Sequence, residues 1–286
     1  MRGLAEFVMK GRNQAVFTAV IAATVPLMFW LAAAVVGLVT LRRGLTEGVG
    51  VAGFVLIPAL FWIIYLGEPT PIIVIFSALI MSLVLRATMS WEKMLAAGVA
   101  TAAAGMLLVP MIIPDLVEQV VKVGKDLLTQ VEPTLLKELG DAEFESATRS
   151  LMLGSMAVSY FIFSLIAVLL ARNWQSKLYN PGGFQEEFHG FRLSRLGCLA
   201  GLLLAMMLSS VGGDMAALVL VIPVPYVIAG IALVHGVIAK KSKGGVWLFW
   251  FYAIAFIMGP SLIILLVFLA ITDSWVDFRG RIVQAE

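Results

Sequence analysis

Six or more stretches of this chain are apolar runs long enough to cross a bilayer, and almost none carries a charge inside. The hydrocarbon core of a membrane is about 30 Å thick and takes roughly 20 apolar residues of helix to span. In water such runs would aggregate. In lipid they are the expected solvent-facing surface, and only helices or closed barrels satisfy the backbone there. Barrel strands would read as alternating segments of about ten residues. The runs here are continuous, so the expected fold is all-α, a polytopic transmembrane helical bundle. The composition agrees: 61% of the 286 residues are hydrophobic and 13% charged, against about 25% charged in ordinary soluble domains. A single integral membrane domain, 1–286, is expected, with no separate soluble enzyme.

Candidate spans fall at roughly 14–41, 50–66, 70–86, 94–113, 150–171, 196–211, 215–239 and 245–271. The connections between them sort by charge. Arg42 and Arg43, then Arg86 and Lys93, then Arg172, Lys177, Arg192 and Arg195, then Lys240, Lys241 and Lys243 occupy alternate loops. The intervening connections, 67–71, 114–149 and 212–214, are poor in base. Cytoplasmic loops carry the excess of Lys and Arg, so the basic set is assigned inside. The run 14–41 turns about Pro26 and has basic residues at both ends, which favours a hairpin or re-entrant pair over one long tilted helix. It is too long for a secretory signal. The last run, 246–271, repeats that design around Gly259 and Pro260. Eight to ten membrane segments are expected in all.

The segment 115–148 is the one sizeable insertion outside the membrane. Leu116, Val117, Val120, Val121, Leu127, Leu128, Val131, Leu135 and Leu139 recur at three- and four-residue spacing, a helical apolar stripe. Acids, among them Asp115, Glu118, Asp126, Glu132, Glu138, Asp141, Glu143 and Glu145, outnumber Lys122, Lys125, Lys137 and Arg149, which suits the external side. A connector packed on the membrane domain, a lid over an external pocket and a partner-docking helix all fit this pattern.

Catalytic constellations are nearly absent. There are two histidines, His189 and His235, and one cysteine, Cys198, inside an apolar run. No HExxH, CxxC, GxSxG or Walker A pattern occurs, so an enzyme is not expected and neither a metal nor another cofactor is called for. Nothing in the pattern suggests nucleic acid.

What remains is backbone breaks and a few polar groups. Gly67-Glu68-Pro69-Thr70-Pro71 joins two spans with almost no loop, and Pro223 and Pro225 in VIPVPY kink or unwind another. Unwound backbone at membrane depth is tolerated where it lines a cavity and offers polar groups to a ligand. Glu68, Thr70, Ser209, Ser210, Asp214 and Tyr226 lie at or beside these breaks and are the candidate ligand-binding residues, with kinked helices and interfacial charges as the structural alternative.

A second set of residues points to partners. Ala15, Ala19 and Ala23 repeat every four positions, as do Ala96, Ala100 and Ala104, and such faces let helices approach closely, within the chain or onto another membrane protein. The cytoplasmic loop 172–195 carries Asn180-Pro181-Gly182-Gly183, a strong turn signal. Phe184, Phe188, Phe191 and Leu193 then alternate with Glu186, Glu187, Arg192 and Arg195, as in a short interfacial helix. Glu187 and Arg192 are placed to pair. In the tail, Trp275 is an interface anchor, with Arg279 among the adjacent charges. Phe184, Glu187, Phe188, Arg192, Trp275 and Arg279 join the alanines as candidate docking residues.

LYNPGGFQEEFHGFRLSR (178–195), DSWVDFRGR (273–281) and LVTLRRG (38–44) together resemble the YybS-like family of predicted bacterial membrane proteins, a domain of unknown function. The resemblance runs through nearly the whole chain. It implies residence in the bacterial inner membrane and a core similar to the S components of energy-coupling-factor transporters. Those bind a small metabolite in a pocket open to the outside and dock through alanine faces onto a coupling protein driven by ATPases. Ala15, Ala19 and Ala23 match that docking pattern in kind. More than six spans and the insertion at 115–148 depart from it.

Two functions follow as expectations. The first is an S-component-like protein that takes a small molecule into an outward pocket, energised by a membrane protein partner. The second is a scaffold or assembly factor that holds other membrane proteins without a ligand.

Overall fold

The computed structural model describes residues 2–131, 140–241 and 244–282. Glu132, Leu135, Lys137, Glu138, Leu139 and Lys243 lie outside the described residues. Every regular element among the described residues is a helix. In chain order they are α1 (Arg2–Lys10), α2 (Arg12–Thr24), α3 (Phe29–Arg43), α4 (Leu45–Leu66), α5 (Thr70–Thr88), α6 (Trp91–Ile112), α7 (Pro114–Val131) and α8 (Asp141–Tyr179). There follow α9 (Gly183–Gly190), α10 (Arg195–Val211), α11 (Gly213–Ala217), α12 (Pro223–Lys240), α13 (Val246–Met258), α14 (Pro260–Val276) and α15 (Phe278–Arg281).

Among the described residues five helices are long and apolar enough to cross a membrane: α4, α5, α6, α8 and the stretch Gly213–Lys240. Counting α9 and α10, bent by 65°, as one broken span makes six. The difference from eight to ten segments comes from the two end runs. Val25, before Pro26, is extended (φ −82°, ψ 128°), as steric conflict with a following proline ring requires. The run 14–41 therefore splits into α2, of 13 residues, and α3, of 15. At 1.5 Å per residue each is about 20 Å long, short of the hydrocarbon thickness. The two pack on each other, and the Trp62 indole N–H donates to the carbonyl of Ala23 at the break. In the last run Gly259 (φ 53°) ends α13 and Pro260 opens α14, again dividing one apolar run into two short helices.

The chain packs as two compact units. The first contains residues up to Leu178 together with Ala205–Val221. Its centre is α3, buried without interruption from Ala32 to Leu41 and packed on α2, α4 and α5. The end carbonyls of α3 need donors. Arg86 donates to Leu41 O at 2.8 Å and Gln175 to the same oxygen at 3.3 Å, placing a cation at the negative end of the helix dipole. At 39 residues α8 is roughly 58 Å long. Its middle is held against α5 by the Ser164 hydroxyl, which shares its proton between Tyr160 O and Val74 O. Its N-terminal turns reach beyond an apolar slab of about 30 Å. Of the α7 stripe, Val117 is buried and Leu127 exposed.

The second unit contains Tyr179–Leu204 and Ile222–Glu286. Here α12 packs on α14 and α9. Two glycines permit this. A Cβ on Gly230 would come within 2.5 Å of the Leu266 carbonyl, and one on Gly236 within 2.6 Å of the His189 carbonyl. Pro223 and Pro225 lie in the first turn of α12, after a 3-10 turn at Leu218–Leu220. A missing N–H costs nothing in that turn, so the prolines restart a helix instead of bending one.

Candidate functional site

Three cavities bring polar side chains together. The first, about 500 Å³, lies in the first unit between the α4–α5 turn and α8. Gly67, left-handed at φ 63°, closes α4, and the Glu68 carboxylate folds back to accept the Thr70 N–H at 2.9 Å. Pro71 within the first turn of α5 leaves that helix start with few free donors. The opposite wall is one face of α8, with Ser155, Ser159, Met152 and Met156 at helical spacing and Tyr160 beside them. Ser155 donates to Leu151 O at 2.6 Å and Ser159 to Ser155 O at 2.9 Å. Tyr160 is 1% exposed, and its buried hydroxyl has the Thr70 side chain as polar neighbour but makes no hydrogen bond of ordinary geometry. A buried polar group left unsatisfied costs about 1–3 kcal/mol and calls for an explanation.

The second cavity, about 690 Å³, is lined by α7, the first turns of α8, Gly213 and Asp214. Arg149 grips Asp214 with two hydrogen bonds of 2.7 and 2.8 Å. Lys125 and Glu145 stand 3.8 Å apart. With Lys122 and Glu118 the wall carries three cations and three anions.

The third cavity, about 630 Å³, belongs to the second unit and unites two motifs distant in sequence, 178–195 and 273–281. Its centre is Arg279, which donates to the His189 and Phe191 carbonyls at 2.8 and 2.7 Å and to Asp273 at 2.6 Å. Both members of that ion pair are buried, with side chains 8% and 2% exposed. Asp273 also accepts the Phe278 N–H, and Lys240 donates to the Arg279 carbonyl. Arg192 pairs with Asp277 at 3.1 Å. The Asp277 carboxyl accepts the Gly280 N–H and, with Arg192 and Arg279 nearby, titrates below the usual carboxylate range. Around this centre Phe184 stacks on Phe188, and Phe188 meets His235 edge-on.

Glu68 and Thr70 thus share the first cavity, while Asp214 belongs to the second. Ser209 and Ser210 are exposed and donate to their own helix, to Ala205 O and Met207 O. Tyr226 is buried in the second unit and donates to the Cys198 carbonyl at 2.6 Å. Ala15, Ala19 and Ala23 are wholly covered by the chain's own packing. Phe184 and Phe188 are half-buried, as is Glu187, Trp275 is 40% exposed, and Arg279 is buried. Sequence reasoning missed Ser155, Ser159, Tyr160 and Arg149. A signal existed for the first three: two serines four residues apart and a tyrosine form a polar stripe inside an otherwise apolar run.

This architecture defines a multi-pass helical membrane protein, with a lipid bilayer as the surroundings its apolar helices fit. Comparison with family models, with curated proteins and with solved structures finds no match to this chain.

Proposed function

We propose that this chain is a non-enzymatic protein of the bacterial inner membrane that captures a small polar molecule in the 500 Å³ cavity formed by the α4–α5 turn and α8. The observation that carries the reading is Tyr160: a buried hydroxyl that makes no hydrogen bond of ordinary geometry, beside Thr70 in the wall that also presents Glu68. Pockets of roughly 300–1,000 Å³ with a few convergent polar groups are the usual form of small-molecule sites. The charge pattern of the loops puts this cavity on the outer side, where α7 borders it through Leu116. The resemblance to YybS-like proteins and S components supports the same role, and in it the transport energy comes from a membrane protein partner. Membership of that family, an S-component-like core and eight to ten membrane segments with the short end helices as re-entrant pairs belong to this proposal.

The test is native mass spectrometry of the full chain extracted gently from its own membrane, beside Tyr160→Phe. A small molecule should co-purify with the parent and be lost from the variant, while the variant is as stable as the parent or more so, because a penalised hydroxyl is gone. A stoichiometric complex with other membrane proteins and no small molecule would overturn the reading in favour of a scaffold.

A further inference from the structure

The chemistry of the same cavity selects a ligand class, an inference that rests on the capture function proposed above. We infer that it takes a small organic cation, a primary or secondary ammonium, and rejects anions. Among the described residues Glu68 is the only charged side chain in the wall, and no Lys, Arg or His lines it. One Glu68 oxygen accepts from Thr70, and the other makes no hydrogen bond among the described residues. Ser155 and Ser159 have given their protons to backbone carbonyls, so both oxygens face a ligand as acceptors. The Met152 and Met156 thioethers are soft, weak acceptors. Surplus acceptor capacity in one cavity wall is matched by a ligand rich in N–H donors. A carboxylate there would meet like charge from Glu68 with no cation to offset it.

The neighbouring 690 Å³ cavity supplies the contrast. Its three cations and three anions are balanced, and Arg149 and Asp214 already satisfy one another. It shows no such preference.

The experiment uses the full chain in lipid nanodiscs and three probes of matched shape: phenethylammonium, 2-phenylethanol and 3-phenylpropanoate. Affinity is read by calorimetry, and co-purifying small molecules are identified by native mass spectrometry. The ammonium should bind at least tenfold tighter than the alcohol, the carboxylate should not bind, and any co-purifying molecule should carry a basic nitrogen. Glu68→Gln, which keeps an oxygen for the Thr70 N–H, should weaken the ammonium at least tenfold and leave the alcohol unchanged. Binding of the carboxylate that Tyr160→Phe abolishes, or an unchanged ammonium affinity in Glu68→Gln, would overturn the ligand class while leaving capture standing. No bound probe and no co-purifying molecule would overturn both.

Discussion

Arg279 holds the tail of this protein to the loop before α10, and removing it has a calculable consequence. Its guanidinium makes three hydrogen bonds, to His189 O, Phe191 O and Asp273 Oδ2, all between 2.6 and 2.8 Å. Asp273 is 2% exposed at its side chain, so without Arg279 its charge stays buried with only the Phe278 N–H, among the described residues, to compensate it. Breaking a buried ion pair by deleting one partner costs about 3–5 kcal/mol, mostly the price of the stranded charge. Arg279→Met should therefore destabilise the protein by that amount, measured as unfolding free energy by steric trapping in bicelles. Asp273→Asn in the same background removes the stranded charge and keeps an acceptor for Phe278. The double variant should recover about 2 kcal/mol, since partners in one network are strongly non-additive. If Arg279→Met falls within about 0.5 kcal/mol of the parent, as a surface substitution does, the buried latch described here is wrong.

Gly236→Ala should cost about 1–3 kcal/mol in the same assay, because its Cβ would lie 2.6 Å from the His189 carbonyl and 3.0 Å from Arg279 Cδ. Gly53→Ala, in open space within α4, should be neutral or slightly stabilising. The exposed Arg149–Asp214 pair, 38% and 37% exposed, should contribute no more than about 1 kcal/mol in a double-mutant cycle. Asp277 titrates below its ordinary value in the folded state, with the Gly280 N–H as the main cause. It therefore adds stability above the unfolded carboxylate pKa, about 3.9, and loses it as the pH falls through the depressed folded value. Thermal scans of parent and Asp277→Asn should differ at neutral pH and converge in acid. Cysteines at the exposed positions Gln119 and Lys241 should react with an impermeant maleimide from opposite sides of the membrane. Cys198 is buried and should stay silent.

The class of fold was legible because it rests on run length, which lipid enforces residue by residue. The Gly67–Pro71 connection was legible too, since Gly and Pro punctuate a helix whatever surrounds them. The interior of α8 was not. Within an apolar run Ser155 and Ser159 read as ordinary helix residues, because a serine in a membrane helix satisfies itself on the preceding turn. Only packing reveals that α8 turns them toward the Glu68 turn. Ser209 and Ser210 show the converse: the same residue type and the same bonding to the preceding turn, but no place in the wall of the Glu68 cavity. Nor could spacing bring 273–281 onto 183–193, a contact between segments about ninety residues apart.

The two ways this chain treats clustered polar groups separate structure from function. Around Arg279 nearly every polar capacity is used: two backbone carbonyls, a carboxylate, the Phe278 N–H and Lys240 close on one another. Such a network fixes one arrangement and gains nothing from a ligand. Around Glu68 the balance differs. A carboxylate oxygen and a tyrosine hydroxyl make no hydrogen bond of ordinary geometry among the described residues, and two serine oxygens have acceptor capacity left. Folding alone does not favour that arrangement, because a phenylalanine at position 160 would avoid the penalty of the buried hydroxyl. A bound molecule with donors to offer would turn the same deficit into affinity, and that is the physical reason to look for the ligand here first.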